Sequence, residues 1–127
     1  MDDFISQLSE DAQTAWGAGL LEGEGCFSIF VRNDRRNSIN CAIHLEMTDM
    51  DTVQRVRNVF KCGNIKGPFT RPKDAYTNRK PTWIWSVQTQ ADIYSVLCRI
   101  FPYLSERRRL KAKELIEYLG PKICPQV

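Results

Sequence analysis

The sequence predicts an α+β fold in the order αββαββα, with an extra C-terminal helix and a four-stranded antiparallel sheet. Three observations carry this. Segments that alternate apolar and polar residues come in two pairs. Apolar residues at helical spacing follow each pair, and residues that start or stop helices flank those segments. Each strand pair keeps one polar face, so the four strands together leave helices behind the sheet and an open surface in front.

The first helix begins at Ser9, a residue suited to an N-cap, with Glu10 and Asp11 in the first turn where they complement the helix dipole; its pattern runs to Gly23. From Cys26 to Arg32, Phe27, Ile29 and Val31 alternate with Cys26, Ser28, Phe30 and Arg32. From Ile39 to Met47, Cys41, Ile43, Leu45 and Met47 alternate with Asn40, Ala42, His44 and Glu46. The intervening Asn-Asp-Arg-Arg-Asn is a turn signal, which makes the pair a hairpin. Val53, Val56 and Phe60 mark a helix from Asp51 to Lys61, ended by Gly63. A short strand from Asn64 to Lys66, a long polar loop to Pro81 and a strand from Thr82 to Gln88 form the second hairpin, with Trp83, Trp85 and Val87 on one face. Thr89 and Asp92 open a helix carrying Ile93, Val96, Leu97 and Ile100, which Pro102 breaks; the last helix runs from Ser105 to Leu119 and stops at Gly120-Pro121.

At 127 residues the chain suffices for one domain, residues 1–127, with one hydrophobic core. No apolar run approaches the roughly 20 residues of a membrane span, and Met-Asp-Asp-Phe at the start is unlike a secretory leader, so an intracellular protein is expected, its compartment open between a bacterial or phage-infected cytoplasm and an organelle. Five cysteines without C-x-x-C spacing speak against both a disulfide framework and a zinc site; reduced, mostly buried thiols are expected. The single histidine, His44, excludes a His-rich metal centre. Net charge is only +3, yet all 18 Lys and Arg lie after Val31, whereas Asp2, Asp3, Glu10, Asp11, Glu22 and Glu24 precede Cys26. The basic residues cluster at Arg32, Arg35 and Arg36, at Lys66 to Lys80, and at Arg107 to Lys113, which suits a polyanion.

The segment from Gly17 to Gly25, Gly-Ala-Gly-Leu-Leu-Glu-Gly-Glu-Gly, holds the chemistry. Glu22 and Glu24 fall at a helix C-terminus, where unpaired carbonyls already carry partial negative charge, and no basic residue is near in sequence. Such an anionic pocket favours a hard cation, Mg²⁺ or Ca²⁺. On the same helix Ala12, Ala15, Gly19 and Gly23 form a stripe almost free of side chains. It suits close approach of another backbone, from the chain's own sheet or a second copy; Trp16 and Leu20, on another side, are free to serve the internal core, which favours the second copy.

The same segment resembles the signature of the LAGLIDADG homing endonuclease family. Cys-Phe-Ser-Ile after it, Met47-Thr48-Asp49 leading into a helix, Lys80 to Val87 as a strand, and Phe101-Pro102-Tyr103-Leu104 before a basic helix are similar to the rest of that family's domain in the same order. The likeness spans about residues 12 to 119. Gly17 departs from a usually apolar position, and both acids are Glu where Asp is commoner.

The resemblance implies a site-specific double-strand DNA endonuclease, acting in intron or intein homing on a long pseudo-palindromic site. One signature, residues 17–25, implies a homodimer built on Ala15, Gly19 and Gly23, and no membrane partner. It implies phosphodiester hydrolysis with Mg²⁺, for which Mn²⁺ or Ca²⁺ can substitute in binding, held by Glu24 and the Gly23 carbonyl. Asp49 aligns with the position that orients the attacking water, although it is equally placed to cap the next helix; Arg107 aligns with the basic residue facing the phosphate, with Arg108 the next candidate. DNA reading falls to the polar strand faces, Ser28, Phe30, Arg32, Asn40, His44, Glu46, Lys66, Thr82 and Ser86, and to Arg35, Arg36, Arg71, Lys73, Arg79 and Lys80 on tips and loop. Two alternatives share the scaffold: an RNA-binding intron maturase and a DNA-binding protein that has lost cleavage.

Overall fold

A computed structural model describes residues 7–31, 39–70 and 80–123. The chain runs α1 (Glu10–Glu24), β1 (Gly25–Val31), β2 (Ile39–Met47), α2 (Met50–Phe60), β3 (Asn64–Phe69), β4 (Thr82–Val87), α3 (Gln90–Ile100), a 3-10 turn at Phe101–Tyr103 and α4 (Glu106–Ile123). The four strands make one antiparallel sheet in the order β1-β2-β4-β3, so the two hairpins join through their second strands. The αββαββα order with an extra C-terminal helix is therefore the observed fold.

Alternation along each strand becomes two faces of the sheet. Leu45, paired with Gly25 and Trp85, and Ile43, paired with Phe27 and Val87, turn toward the helices, and Ile43, Leu45 and Trp85 are fully buried. They meet Leu21 of α1, Val53 and Val56 of α2, Ile93 and Leu97 of α3, and Leu115 and Leu119 of α4 in one apolar cluster. Full burial of each such side chain contributes roughly 1.5–3 kcal/mol. Phe60 stacks on Trp85 with ring centroids 5.8 Å apart, which closes the core under the sheet. Pairing at Val31↔Ile39 closes the first hairpin at one end of the sheet. Phe69↔Thr82 closes the second toward the opposite end, beside Met47↔Trp83 and the start of β1.

Ser9 caps α1 as expected, its Oγ accepting the Ala12 N–H at 3.1 Å. Four boundaries differ from the sequence reading. The helix α1 continues to Glu24 because the Gly25 N–H still reaches the Leu21 carbonyl. The helix α2 ends within a residue of its expected bound, but what ends it is Lys61, which turns left-handed at φ 58° and ψ 31°, and not Gly63. Gly63 does a different job: at φ 88° it lies so close to Trp85 that a Cβ would sit 2.5 Å from the indole Nε1, which donates to the neighbouring Cys62 carbonyl at 2.9 Å. Strand β3 reaches Phe69 through an irregularity in register after Lys66. Finally, α4 passes through Gly120-Pro121 to Ile123, held by Ile123 against the core and by the Lys122 ammonium on Tyr118, with Nζ 4.2 Å from the ring centroid. The expectation of mostly buried thiols is also corrected: Cys41 is buried and Cys62 half-buried, but Cys26 and Cys98 are exposed. Cys26 is exposed because it falls on the outward side of β1.

Gly17 is buried, and a Cβ there would stand 2.8 Å from the Phe60 ring; the departure at this position follows from α2 pressing against the helix. Gly19 and Gly23 face the other way, exposed, and a Cβ on either would find no atom within 4 Å. Among the described residues no helix is long and apolar enough to cross a membrane.

Candidate functional site

The outward face of the sheet presents polar side chains in rows set by strand pairing. Cys26, His44, Ser86 and Asn64 lie in register across all four strands, and Glu46, Ile84 and Lys66 across three. The Thr82 hydroxyl donates to Glu46 Oε2 at 2.5 Å and braces that second row. His44, Glu46, Lys66, Phe69, Ile84, Ser86 and Gln88 line a shallow groove over this face. Toward the first hairpin, Ser28 donates to the Ala42 carbonyl at 3.5 Å, and the Asn40 Nδ2 is buried without a partner. Lys80 is exposed at the start of the last described segment. The structure thus gathers Ser28, Asn40, His44, Glu46, Lys66, Thr82 and Ser86 on one side. Arg32, Arg35, Arg36, Arg71, Lys73 and Arg79 lie outside the described residues, as does the side chain of Phe30.

At the edge of this face, α1 delivers Glu24 as its last residue. Its carboxylate is exposed, and no basic residue stands in the last helical turn. Glu22 does not join it in a pocket, which corrects the paired reading. Two residues earlier, and so on the opposite side of the helix, Glu22 turns toward α4, where its Oε1 accepts both the Ser105 N–H, at 3.1 Å, and the Ser105 hydroxyl. Partial positive charge at a helix N-terminus suits a carboxylate, which is why Glu22 turns there.

Three consecutive arginines on α4 have separate fates. Arg108 lies over the Phe27 ring, 5.5 Å from its centroid, and Arg109 lies 5.7 Å from the Phe101 centroid and donates to the Pro102 carbonyl at 2.9 Å. Arg107 is exposed, without an ion pair or hydrogen bond among the described residues. With Lys111 it borders a groove floored by Gly25, Cys26 and Phe27, immediately after Glu24 in the chain. Asp49 sits at the exit of β2, four residues beyond the Leu45 that pairs with Gly25, hence at the same end of the sheet as Glu24. It occupies the N-cap position of α2 in extended conformation, exposed, but its side chain makes no capping hydrogen bond. The three candidate catalytic residues therefore share one end of the molecule.

Sequence reasoning missed Gln88 and Phe69. Gln88 extends the alternation of Thr82, Ile84 and Ser86 by one step and was findable. Phe69 was hidden by the irregularity in β3. Among the described residues no group of three or more His, Cys, Asp or Glu gathers. Glu24 is the carboxylate that immediately precedes the groove floor in the chain, and burial pushes the Cys41 and Cys62 thiols up, away from thiolate ligation.

The family described as LAGLIDADG endonuclease matches residues 18–119. No curated protein sequence matches the chain significantly. Among solved structures the fold is similar to the archaeal intron-encoded homing endonuclease I-Vdi141I complexed with DNA, at TM-score 0.71 and 14% identity, covering 92% of this chain and 72% of that one. It is similar to the homing endonuclease I-CvuI in complex with its target in the presence of Ca, at TM-score 0.69 and 18% identity, covering 87% and 68%. It is also similar to the homing endonuclease I-TnaI, at TM-score 0.67 and 17% identity, covering 91% and 74%.

Proposed function

Because the chain belongs to the LAGLIDADG endonuclease family, we propose that it is a divalent-metal-dependent DNA endonuclease, acting as a homodimer on a long pseudo-palindromic duplex site in intron or intein homing, inside the cell. The observation that carries the reading is the free carboxylate of Glu24 at the negative end of α1, set between an open polar sheet face and the unpaired Arg107.

The donor set fits a hard divalent cation. Among the described residues Glu24 supplies an anionic oxygen without a protein partner, the adjacent Gly23 carbonyl is a second candidate ligand, and no group of soft ligands gathers. One carboxylate per chain leaves most coordination positions to phosphate oxygens, water and a second Glu24, so the incomplete set is itself a reason to favour a two-fold assembly on DNA. I-CvuI bound to DNA has been solved with Mg, the DNA not cleaved, and with Ca, which supports a divalent cation; the ion proposed here is Mg²⁺, with Ca²⁺ or Mn²⁺ substituting in binding. When bound, such an ion polarises the scissile phosphate and lowers the pKa of a water.

The chain's own residues do the rest. Arg107 offsets the charge that develops on the phosphate in the transition state. Asp49, unused as a cap, orients the attacking water. The rows through His44 and Glu46 enter the major groove, wide enough for a β-ribbon, and Ser28, Asn40, Lys66, Thr82 and Ser86 address base edges or phosphates beside them. Gly19 and Gly23, open to solvent, let the α1 helices of two copies approach closely, with Ala15 continuing the stripe. Such an isologous contact brings two Glu24 side chains together, one for each strand.

The test is cleavage of a randomised duplex library in Mg²⁺. The wild type selects and cuts a site, and Glu24→Gln loses cutting by orders of magnitude while still binding the selected duplex, because the amide removes the anionic ligand and leaves the sheet intact. A Glu24→Gln protein that cuts like wild type refutes the assignment.

A further inference from the structure

We propose that Glu22 is a positioning residue for cleavage: its carboxylate, seated on the first residue of the α4 hydrogen-bond ladder, sets Arg107 against Glu24. The proposal rests on the endonuclease reading above and adds to it a residue that touches neither metal nor DNA.

The contact joins two segments 83 residues apart in sequence. Ser105 donates its N–H, at 3.1 Å, and its hydroxyl to the same oxygen of Glu22, while its own carbonyl accepts the Arg109 N–H at 2.8 Å and so begins the α4 ladder. Two residues beyond Glu22 is Glu24, and two residues beyond Ser105 is Arg107. One carboxylate thus fixes the distance between the elements that carry the acid and the cation. The rest of the α4 start is pinned independently, by Arg108 over Phe27 and by Arg109 over Phe101 and onto the Pro102 carbonyl. Arg107 and Arg108 both line the groove with Lys111, and of the two arginines only Arg107 has no ring or hydrogen-bond partner among the described residues.

The second observation is a local misfit. Glu22 Oε2 is buried with no partner among the described residues, and so is the Arg108 Nε. A carboxylate suits the positive end of α4, but burying its second oxygen without a partner carries a desolvation cost that a hydroxyl cap would avoid. Departures from local rules of this kind gather where geometry is held for chemistry.

The test compares wild type, Glu22→Ala, Glu22→Gln, Arg107→Ala and the double variant Glu22→Ala/Arg107→Ala on the selected duplex, with single-turnover cleavage, duplex binding and urea unfolding measured for each. Glu22→Ala is expected to cut about 10- to 100-fold more slowly at unchanged duplex affinity. Glu22→Gln, which keeps a carbonyl acceptor for the Ser105 N–H, recovers most of that rate. The double variant is no slower than Arg107→Ala alone, because Glu22 acts through that arginine. If Glu22→Ala does not fold, Ser105→Ala carries the same test and is expected to slow cutting several-fold at unchanged affinity. Wild-type cutting by Glu22→Ala or Ser105→Ala, a rate loss that multiplies with that of Arg107→Ala, or lowered stability with an unchanged rate overturns the proposal and leaves the endonuclease reading intact. A wild type that cuts no duplex overturns both.

Discussion

Gly17 and Gly19 lie two residues apart on one helix and face opposite surroundings, so replacing each by alanine separates backbone propensity from packing. In a helix interior, Gly→Ala gains about 1 kcal/mol at either position. At Gly19 nothing lies within 4 Å of the new methyl, and the gain stands alone. At Gly17 the methyl arrives 2.8 Å from Cε2 and Cζ of Phe60. That ring has little freedom to withdraw, being stacked on Trp85 at 5.8 Å and covered by the Arg99 guanidinium at 5.2 Å. Overpacking of this kind costs about 1–3 kcal/mol. The propensity gain is common to both variants, so the difference between them is the packing cost itself: Gly19→Ala should exceed Gly17→Ala in unfolding free energy by about 1–3 kcal/mol. Urea unfolding followed by tryptophan fluorescence measures this, at a protein concentration low enough that sedimentation shows both variants as monomers, so that the α1 contact between copies does not enter the comparison. Coincident midpoints, or a more stable Gly17→Ala, would refute the assignment of inner and outer faces to α1.

The remaining expectations follow from the same surfaces. Gly19→Leu keeps the fold but converts a sedimenting dimer to monomer and abolishes cutting; a monomeric wild type, or a variant of unchanged mass and activity, contradicts the α1 contact. Lys66→Ala, on the groove side of β3, weakens duplex binding and lowers the salt slope by about one unit if it holds a phosphate, whereas Lys61→Ala, at the end of α2, changes binding little; equal effects in a salt titration would point to diffuse charge. Native-state alkylation followed by peptide mapping should label Cys26 and Cys98 well before Cys41, with Cys62 intermediate. Because burial raises the Cys41 and Cys62 thiols, the folded chain holds protons that the unfolded chain releases; their contribution to stability is full below the ordinary thiol value of 9.0 and is lost as pH rises through the folded values. A urea midpoint rising over that alkaline range contradicts the burial.

The hairpins and helices were legible because each repeats one period over a whole element: the bounds of β2, Ile39 to Met47, and the four buried positions of α3 follow from alternation and helical spacing alone. Boundaries went astray where tertiary contacts override local signals, as at Gly120-Pro121, where Ile123 and Tyr118 keep the helix going. The exposed place of Glu24 at the end of α1 was legible because it depends on its own helix alone. Glu22 was not, since its partner lies 83 residues away and no local pattern announces it. Nor does a run of three arginines reveal which one is left free; that depends on where Phe27, Phe101 and the Pro102 carbonyl fall in space.

The order β1-β2-β4-β3 separates the two hairpin tips, one beyond Val31 and Ile39, the other between Phe69 and Thr82 near the start of β1. For a protein that reads a duplex along its sheet, this splits the evolutionary search into two independent problems. Insertions between Val31 and Ile39 join the sheet at the end remote from Glu24, so under the endonuclease reading they can retune the periphery of a target while Glu24 stays where it is. The Phe69–Thr82 pair lies toward the end of the sheet that carries Glu24, so under the endonuclease reading insertions between those residues couple changes in recognition to changes in cutting. Drift toward new targets should therefore proceed through the first tip, and lineages of this chain should vary more freely in length there than at the second.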